Sequence, residues 1–389
     1  MTSPANPAGT IVHEIRWSDA FPWWLLFRAA GAAFSPTVIL LAALGAVATW
    51  AGWSACNELG LAGAEGFAAT VMSADGGVLL PTDTGTVATP LVPSRKTTPW
   101  MHDVLRRMPQ PVAELVALVS VPFRPTASRE QLLGSLARLA WFVLVWSIFG
   151  TGISRHVALK LVGEETPGPV AATLYGSRKW VPSFNAVLFV IVGILALSIP
   201  GSLLGLAMRT EWGLAFAGAV WPLVLIGAVV LAILAIGLVA GWPLMVAAVG
   251  VERGDSFQAI STAFSYLYQR PLHYAFYALV ALGVAVPAVA VAGLFADATG
   301  TLAMWAASFG MGHERTSVVL DAISGSGPAA AAWGAKAIAF WSRGLAHLLS
   351  SFGWGYFWAI ATAAYLLLRQ DVDGTELDEV VIDEPGTGG

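Results

Sequence analysis

Long apolar runs separated by short polar punctuation dominate the chain. Pro36 to Ala55 carries no Asp, Glu, Lys or Arg, and about 20 residues at 1.5 Å each cross a hydrocarbon core about 30 Å thick. Runs of the same kind cover residues 132–154, 182–208, 213–251, 271–295 and 352–368, so the pattern predicts six spans in an all-α membrane bundle. Gly213 to Val251 is also uncharged. Fully helical it would be about 58 Å long, too long for one upright span. A break or interfacial turn is therefore predicted at Gly241-Trp242-Pro243, because proline removes a backbone donor inside a helix.

Two stretches have a different period. Between Gly254 and Tyr274, Asp255 and Gln258 form the capping-box spacing, and Arg270-Pro271 supplies a stop. Phe257, Ile260, Phe264, Leu267 and Tyr268 then fall on one helical face, with Ser256, Ser261, Thr262, Ser265 and Gln269 on the other. The pattern predicts an interfacial amphipathic helix over 255–269, with Asp255, Gln258 and Pro271 shaping a structural elbow into the next span. A second such helix is predicted over 329–349, where the spacing of Lys336, Arg343 and His347 puts all three on one stripe. Residues 1–33 read as a polar N-terminus followed by an aromatic interfacial segment around Arg28, and 34–55 as span 1. Residues 56–131 read as an extracytoplasmic loop with short helices, 132–369 as five further spans, and 370–389 as an acidic tail. Ser128 and Gln131 repeat the capping-box spacing before span two. Arg138, a few turns inside that span, reads as a snorkelling residue. Asp297 to Gly327 reads as a polar loop. The first apolar run lacks the short core and basic flank of a cleavable signal, and reads as a retained span.

Three spans open alike. Ser35-Pro36, Val181-Pro182 and Arg270-Pro271 each offer proline at a first helical position, preceded by aromatic and basic residues. This suggests a threefold repeat of helix, proline-started span and return span. Gly152-Ile-Ser-Arg155, Gly241-Trp-Pro-Leu244, the stretch from Asp255 to Tyr274, and Leu368-Arg369 with Asp371-Val-Asp-Gly-Thr-Glu376 resemble an uncharacterised bacterial family of six-span integral membrane proteins. More distantly, the helix and proline-started span are similar to the membrane domain that accompanies some glycerophosphodiester phosphodiesterases. The resemblance implies a membrane fold and no activity, since the soluble phosphodiesterase barrel and its acidic metal ligands are absent from this sequence.

Composition agrees with lipid as the main solvent. Of 389 residues, 57% are hydrophobic and 11% charged, with a mean hydropathy of +0.70; soluble domains carry about 25% charged residues. Of the 24 acids, Asp371, Asp373, Glu376, Asp378, Glu379, Asp383 and Glu384 crowd the C-terminal end. Arg16, Arg28, Arg155, Lys160, Arg178, Lys179, Arg253, Arg270 and Arg369 fall on one set of short segments. The positive-inside rule then predicts both termini in the cytoplasm of a bacterial inner membrane.

Candidate chemistry is sparse. The single Cys56 excludes an internal disulfide and a cysteine metal site. His13, His102, His156, His273, His313 and His347 make no metal-ligand spacing, no nucleotide-binding loop is present, and Asp371-x-Asp373-Gly fails as a calcium loop. No metal, cofactor or nucleic-acid partner is expected. The spans hold almost no charge at mid-depth, which argues against ion-coupled transport. Lys336, Arg343, His347, Arg178, Lys179 and Arg270 are candidate contacts for lipid phosphate. Gly201 with Gly205, and Gly237 with Gly241, are candidate close-packing pairs, within the chain or in a homo-oligomer. The reading is a non-enzymatic scaffold or accessory subunit contacting membrane lipids and protein partners. The alternatives are a transporter or channel for a lipidic or apolar substrate, and a lipid-headgroup enzyme using Arg155, Arg178 and His273.

Overall fold

The computed structural model describes residues 21–61, 128–324 and 333–375, with a few positions between 115 and 123. Most of the 56–131 connection and the acidic tail beyond residue 375 lie outside the described residues. The described residues form helices and no strand. In chain order they are α1 (Trp24–Ala33), α2 (Pro36–Glu58), α3 (Arg129–Val162), α4 (Pro169–Ala207), α5 (Glu211–Glu252), α6 (Ser256–Gln269), α7 (Pro271–Ser324), α8 (Trp333–Ser350) and α9 (Phe352–Asp373), with a single 3₁₀ turn at Val121–Phe123. Six segments are long and apolar enough to cross a membrane: α2, α3, α4, α5, α7 and the α8–α9 stretch. This is the all-α architecture of a multi-pass membrane protein.

Three expectations about where helices begin and end need correction. No break occurs at Gly241-Trp242-Pro243, because α5 is continuous from Glu211 to Glu252 with Pro222 and Pro243 inside it. Likewise Pro182 does not open a helix. It stands with Pro200 inside α4, whose opening proline is Pro169, so proline starts a helix at Pro36, Pro169 and Pro271 but not at the expected Val181-Pro182. Each internal proline forfeits one backbone hydrogen bond, and helices in lipid carry that loss because every remaining donor must still be paired along the helix. Finally, Asp297 is helical rather than in a loop. α7 continues to Ser324 and is interrupted only at Gly312, whose φ of 74° and ψ of 169° lie outside the helical region.

The chain divides into two compact units. Residues 1–43 and 147–389 form one, and residues 44–146 the other. At the centre of the first is α9, buried on all sides from Tyr356 through Leu368 apart from the partly exposed Phe357. Around it pack the buried face of α1 (Leu25, Leu26, Ala29, Ala33), the last two turns of α5 (Leu244 to Val251) and one face of α6. Small residues set these distances. A Cβ on Gly150 would lie 2.8 Å from the Trp358 ring, and one on Gly176 would lie 2.1 Å from the Ile148 carbonyl oxygen.

In the second unit, Trp53 donates its indole N–H to the Arg138 carbonyl at 3.2 Å, and Trp141 donates to the Ala48 carbonyl at 2.8 Å. Arg138 is only 5% exposed. It donates to the Asn57 side-chain oxygen and, at 3.2 Å, to the Leu61 carbonyl. It is therefore no snorkelling residue but a bond between α3 and the end of α2. Ser128 and Gln131 make the full reciprocal box, Ser128 N–H to Gln131 Oε1 at 3.0 Å and Gln131 N–H to Ser128 Oγ at 3.2 Å.

Candidate functional site

Two features of the first unit could carry function: a polar cluster where several helices end, and an apolar groove beside α1 and α7. The cluster is built on Glu252, the last residue of α5. Apolar sequence delivers this carboxylate to the helix end, where the C-cap Arg253 turns the chain with a left-handed φ of 61°. One Glu252 oxygen lies 3.2 Å from Arg369 Nε and also accepts the Tyr365 hydroxyl, both from α9. The other oxygen accepts Gln258 Nε2 of α6 at 3.1 Å. Side chains of Arg369 and Glu252 are 14% and 16% exposed, so the pair is largely withdrawn from water.

The last turn of α9 is held in the same way. Tyr266 of α6 donates its hydroxyl to Asp373, and Tyr277 of α7 donates to Asp371 at 2.8 Å. Burial first, then the bond to Asp373 and the nearby Glu252 charge, push the Tyr266 hydroxyl well above the ordinary tyrosine range. Asp371 and Asp373 thus begin as tertiary contacts the stretch expected to be only a solvated tail. Close by in sequence, the Arg155 and Arg253 guanidinium groups lie 5.5 Å and 5.9 Å from the centroid of the Tyr175 ring, on α4. Tyr175 donates to the Val249 carbonyl at 3.1 Å. His156 is buried beside them in sequence, with Nδ1 2.9 Å from the Pro167 carbonyl and Nε2 3.2 Å from Ser35 Oγ. A carbonyl only accepts, so Nδ1 holds the proton.

The elbow at α6 is present with one change. Asp255 caps the helix by accepting Gln258 N–H at 2.8 Å, and Pro271 opens α7. Gln258 does not return to the cap; it bonds Glu252. The buried face of α6 is also not the aromatic one. Ser256, Ala259, Ala263, Tyr266 and Leu267 are buried, whereas Phe257 is 68% exposed and Tyr268 is also exposed. Small side chains let α6 approach its neighbours closely. Its aromatic face instead meets the long helices of the α4–α5 hairpin, Phe257 stacking on Phe189 at 4.9 Å and Phe264 filling the space above Gly237.

Other expected residues fall in different settings. Gly237 and Gly241 adjoin Phe264 and Ala263 of α6, while a Cβ on Gly201 or Gly205 would meet nothing within 4 Å. Lys336, Arg343 and His347 lie on exposed positions of α8. Arg178 and Arg270 are exposed, and Lys179 Nζ lies 3.4 Å from the Arg253 carbonyl. The residues considered for headgroup chemistry are in contrasting surroundings: Arg155 is 2% exposed, Arg178 is exposed, and His273 is exposed beside the Tyr277 ring. Among the described residues, no group of three or more acids, histidines or cysteines could hold a metal.

The second feature is a groove of about 530 Å³ lined by Trp23, Phe27 and Phe34 on one wall and by Val280, Gly283, Val284, Pro287, Ala288 and Val291 of α7 on the other. Trp23 closes one end against Phe276, ring centroids 6.5 Å apart. Sequence reasoning missed both features, although an acid at the end of a charge-free run was a visible signal for Glu252. No family model, curated protein or solved structure matches the chain.

Proposed function

We propose that this protein is a non-enzymatic scaffold or accessory subunit of the bacterial inner membrane, with both termini cytoplasmic. The observation that carries the reading is the Glu252 cluster. Its carboxylates, tyrosines and arginine spend their hydrogen bonds on one another, joining α5, α6, α7 and α9. Buried polar groups used this way specify an arrangement of helices and leave little for a substrate. Lys336, Arg343, His347, Arg178, Lys179 and Arg270 then serve as contacts for anionic lipid. Their neutralisation by Lys336→Gln with Arg343→Gln lowers the anionic lipid that co-purifies; unchanged content rejects that role for those two.

A second reading, a transporter for a lipidic substrate, is favoured by the apolar groove. Proteoliposomes separate the two. A scaffold leaves the transbilayer movement of a fluorescent phospholipid at the rate of empty vesicles; acceleration overturns the scaffold. Topology is checked by single-cysteine labelling in Cys56→Ser: an impermeant reagent added outside reaches position 90 and not position 165, and the reverse pattern rejects the orientation.

A further inference from the structure

We infer that the groove between α1 and α7 is a binding site for one acyl chain of a membrane glycerophospholipid, an assignment that deepens the lipid-contacting role proposed above. Position along α7 is the first argument. Tyr277, bonded to Asp371, and Asp297 bound an uncharged stretch. Twenty residues at 1.5 Å give about 30 Å, the thickness of a hydrocarbon core. The groove starts at Val280, one turn inside the polar contact, and follows α7 to Val291. That is about 16 Å of helix, close to the depth of one leaflet, about 15 Å.

The walls supply the second argument. Val280, Gly283, Val284, Pro287 and Val291 recur at helical spacing, so they make one continuous stripe. Facing them are three large rings. Helices that associate in lipid use small residues to bring backbones together, and Trp23, Phe27 and Phe34 would hold another helix away. A thin flexible chain can lie between rings and stripe. Gly283 leaves the α7 wall open, since a Cβ there meets nothing within 4 Å. At the Trp23–Phe276 end, His273 lies one turn earlier on the same face of α7 and is exposed. Aromatic rings with a polar neighbour are the residues of a headgroup boundary, so the chain enters from that end with its headgroup beside His273.

The test uses the full protein in nanodiscs containing phosphatidylethanolamine with a photoactivatable diazirine near the end of one acyl chain, followed by mapping of labelled peptides. Label is expected on α1 and on the 280–291 segment beyond that on the exposed Leu223 region of α5, which reports ordinary lipid contact. Gly283→Leu places a side chain in the groove from a position whose Cβ has nothing within 4 Å. It should abolish the excess label at unchanged helicity and melting temperature, while label at Leu223 persists. Equal labelling of groove and α5, or excess label that survives Gly283→Leu, overturns the site. A diazirine-bearing free fatty acid that labels the groove equally well would assign it to fatty acid and reject the phospholipid. Failure here leaves the scaffold reading standing, because that reading is decided by the lipid-crossing measurement.

Discussion

The two ends of α5 show how differently one apolar helix can be used. From Leu214 to Val239 its large side chains, including Leu223, Ile226 and Val229, are exposed to the surroundings. From Leu244 to Val251 every residue is buried, and Glu252 then ties three neighbouring side chains. Hydropathy does not distinguish these halves. In lipid an exposed leucine costs nothing, so association must come from close packing and from polar groups that find partners. The buried end has both, in the close contact at Gly250, where a Cβ would lie 2.7 Å from Ser154 Cβ, and in the Glu252 cluster.

That contrast can be broken most severely at Glu252. Glu252→Ala removes the carboxylate that Arg369, Tyr365 and Gln258 bond, a loss of about 3 kcal/mol. Chemical unfolding in detergent, followed by circular dichroism, should show it; a loss below about 1 kcal/mol would mean the helices are held elsewhere. Gly176→Ala comes next. Its Cβ would lie 2.1 Å from a backbone oxygen that cannot swing aside, costing about 2 kcal/mol by overpacking.

Tyr266→Phe removes a hydrogen bond to a carboxylate and should cost about 1.5 kcal/mol near pH 8. The same residue sets an alkaline limit. Its folded-state pKa is raised above the ordinary 10.0, so the folded chain keeps the phenol proton after the unfolded chain has lost it. The contribution is full below pH 10 and is lost as pH climbs above it, at up to about 1.4 kcal/mol per pH unit. The Phe variant lacks that portion of the slope; parallel curves for the two proteins between pH 10 and 11 would refute the assignment. Asp255→Ala removes the α6 cap and should lower stability by about 1 kcal/mol, seen as a lower denaturation midpoint. Gly201→Ala, on the exposed half of α4, is the smallest effect. With nothing within 4 Å of its Cβ, it should be neutral or stabilise by up to about 1 kcal/mol, and a loss as large as that of Gly176→Ala would reveal a contact there.

Much of the architecture was legible in the residues. Apolar run length placed the six spans, and local spacing placed Asp255 and the Ser128–Gln131 box, because a cap involves groups only three residues apart. The candidate site was less legible. Tyr365 and Glu252 are 113 positions apart, Tyr266 and Asp373 107, and no local pattern announces such pairs. The groove has the same origin, since Trp23 and Val284 become neighbours only when α1 and α7 pack.

Composition and run length therefore carried the solvent and the class of fold: a chain with this little charge must satisfy its backbone within helices. Which faces those helices would turn inward was a matter of packing. On α6, alternation of polar and apolar residues pointed to the face of Phe257 and Tyr268, and the packed molecule buries the face of Ala259, Ala263 and Tyr266 instead. Water would have penalised that choice. Lipid does not, so close approach of small residues and the tyrosine–carboxylate bonds settle the orientation.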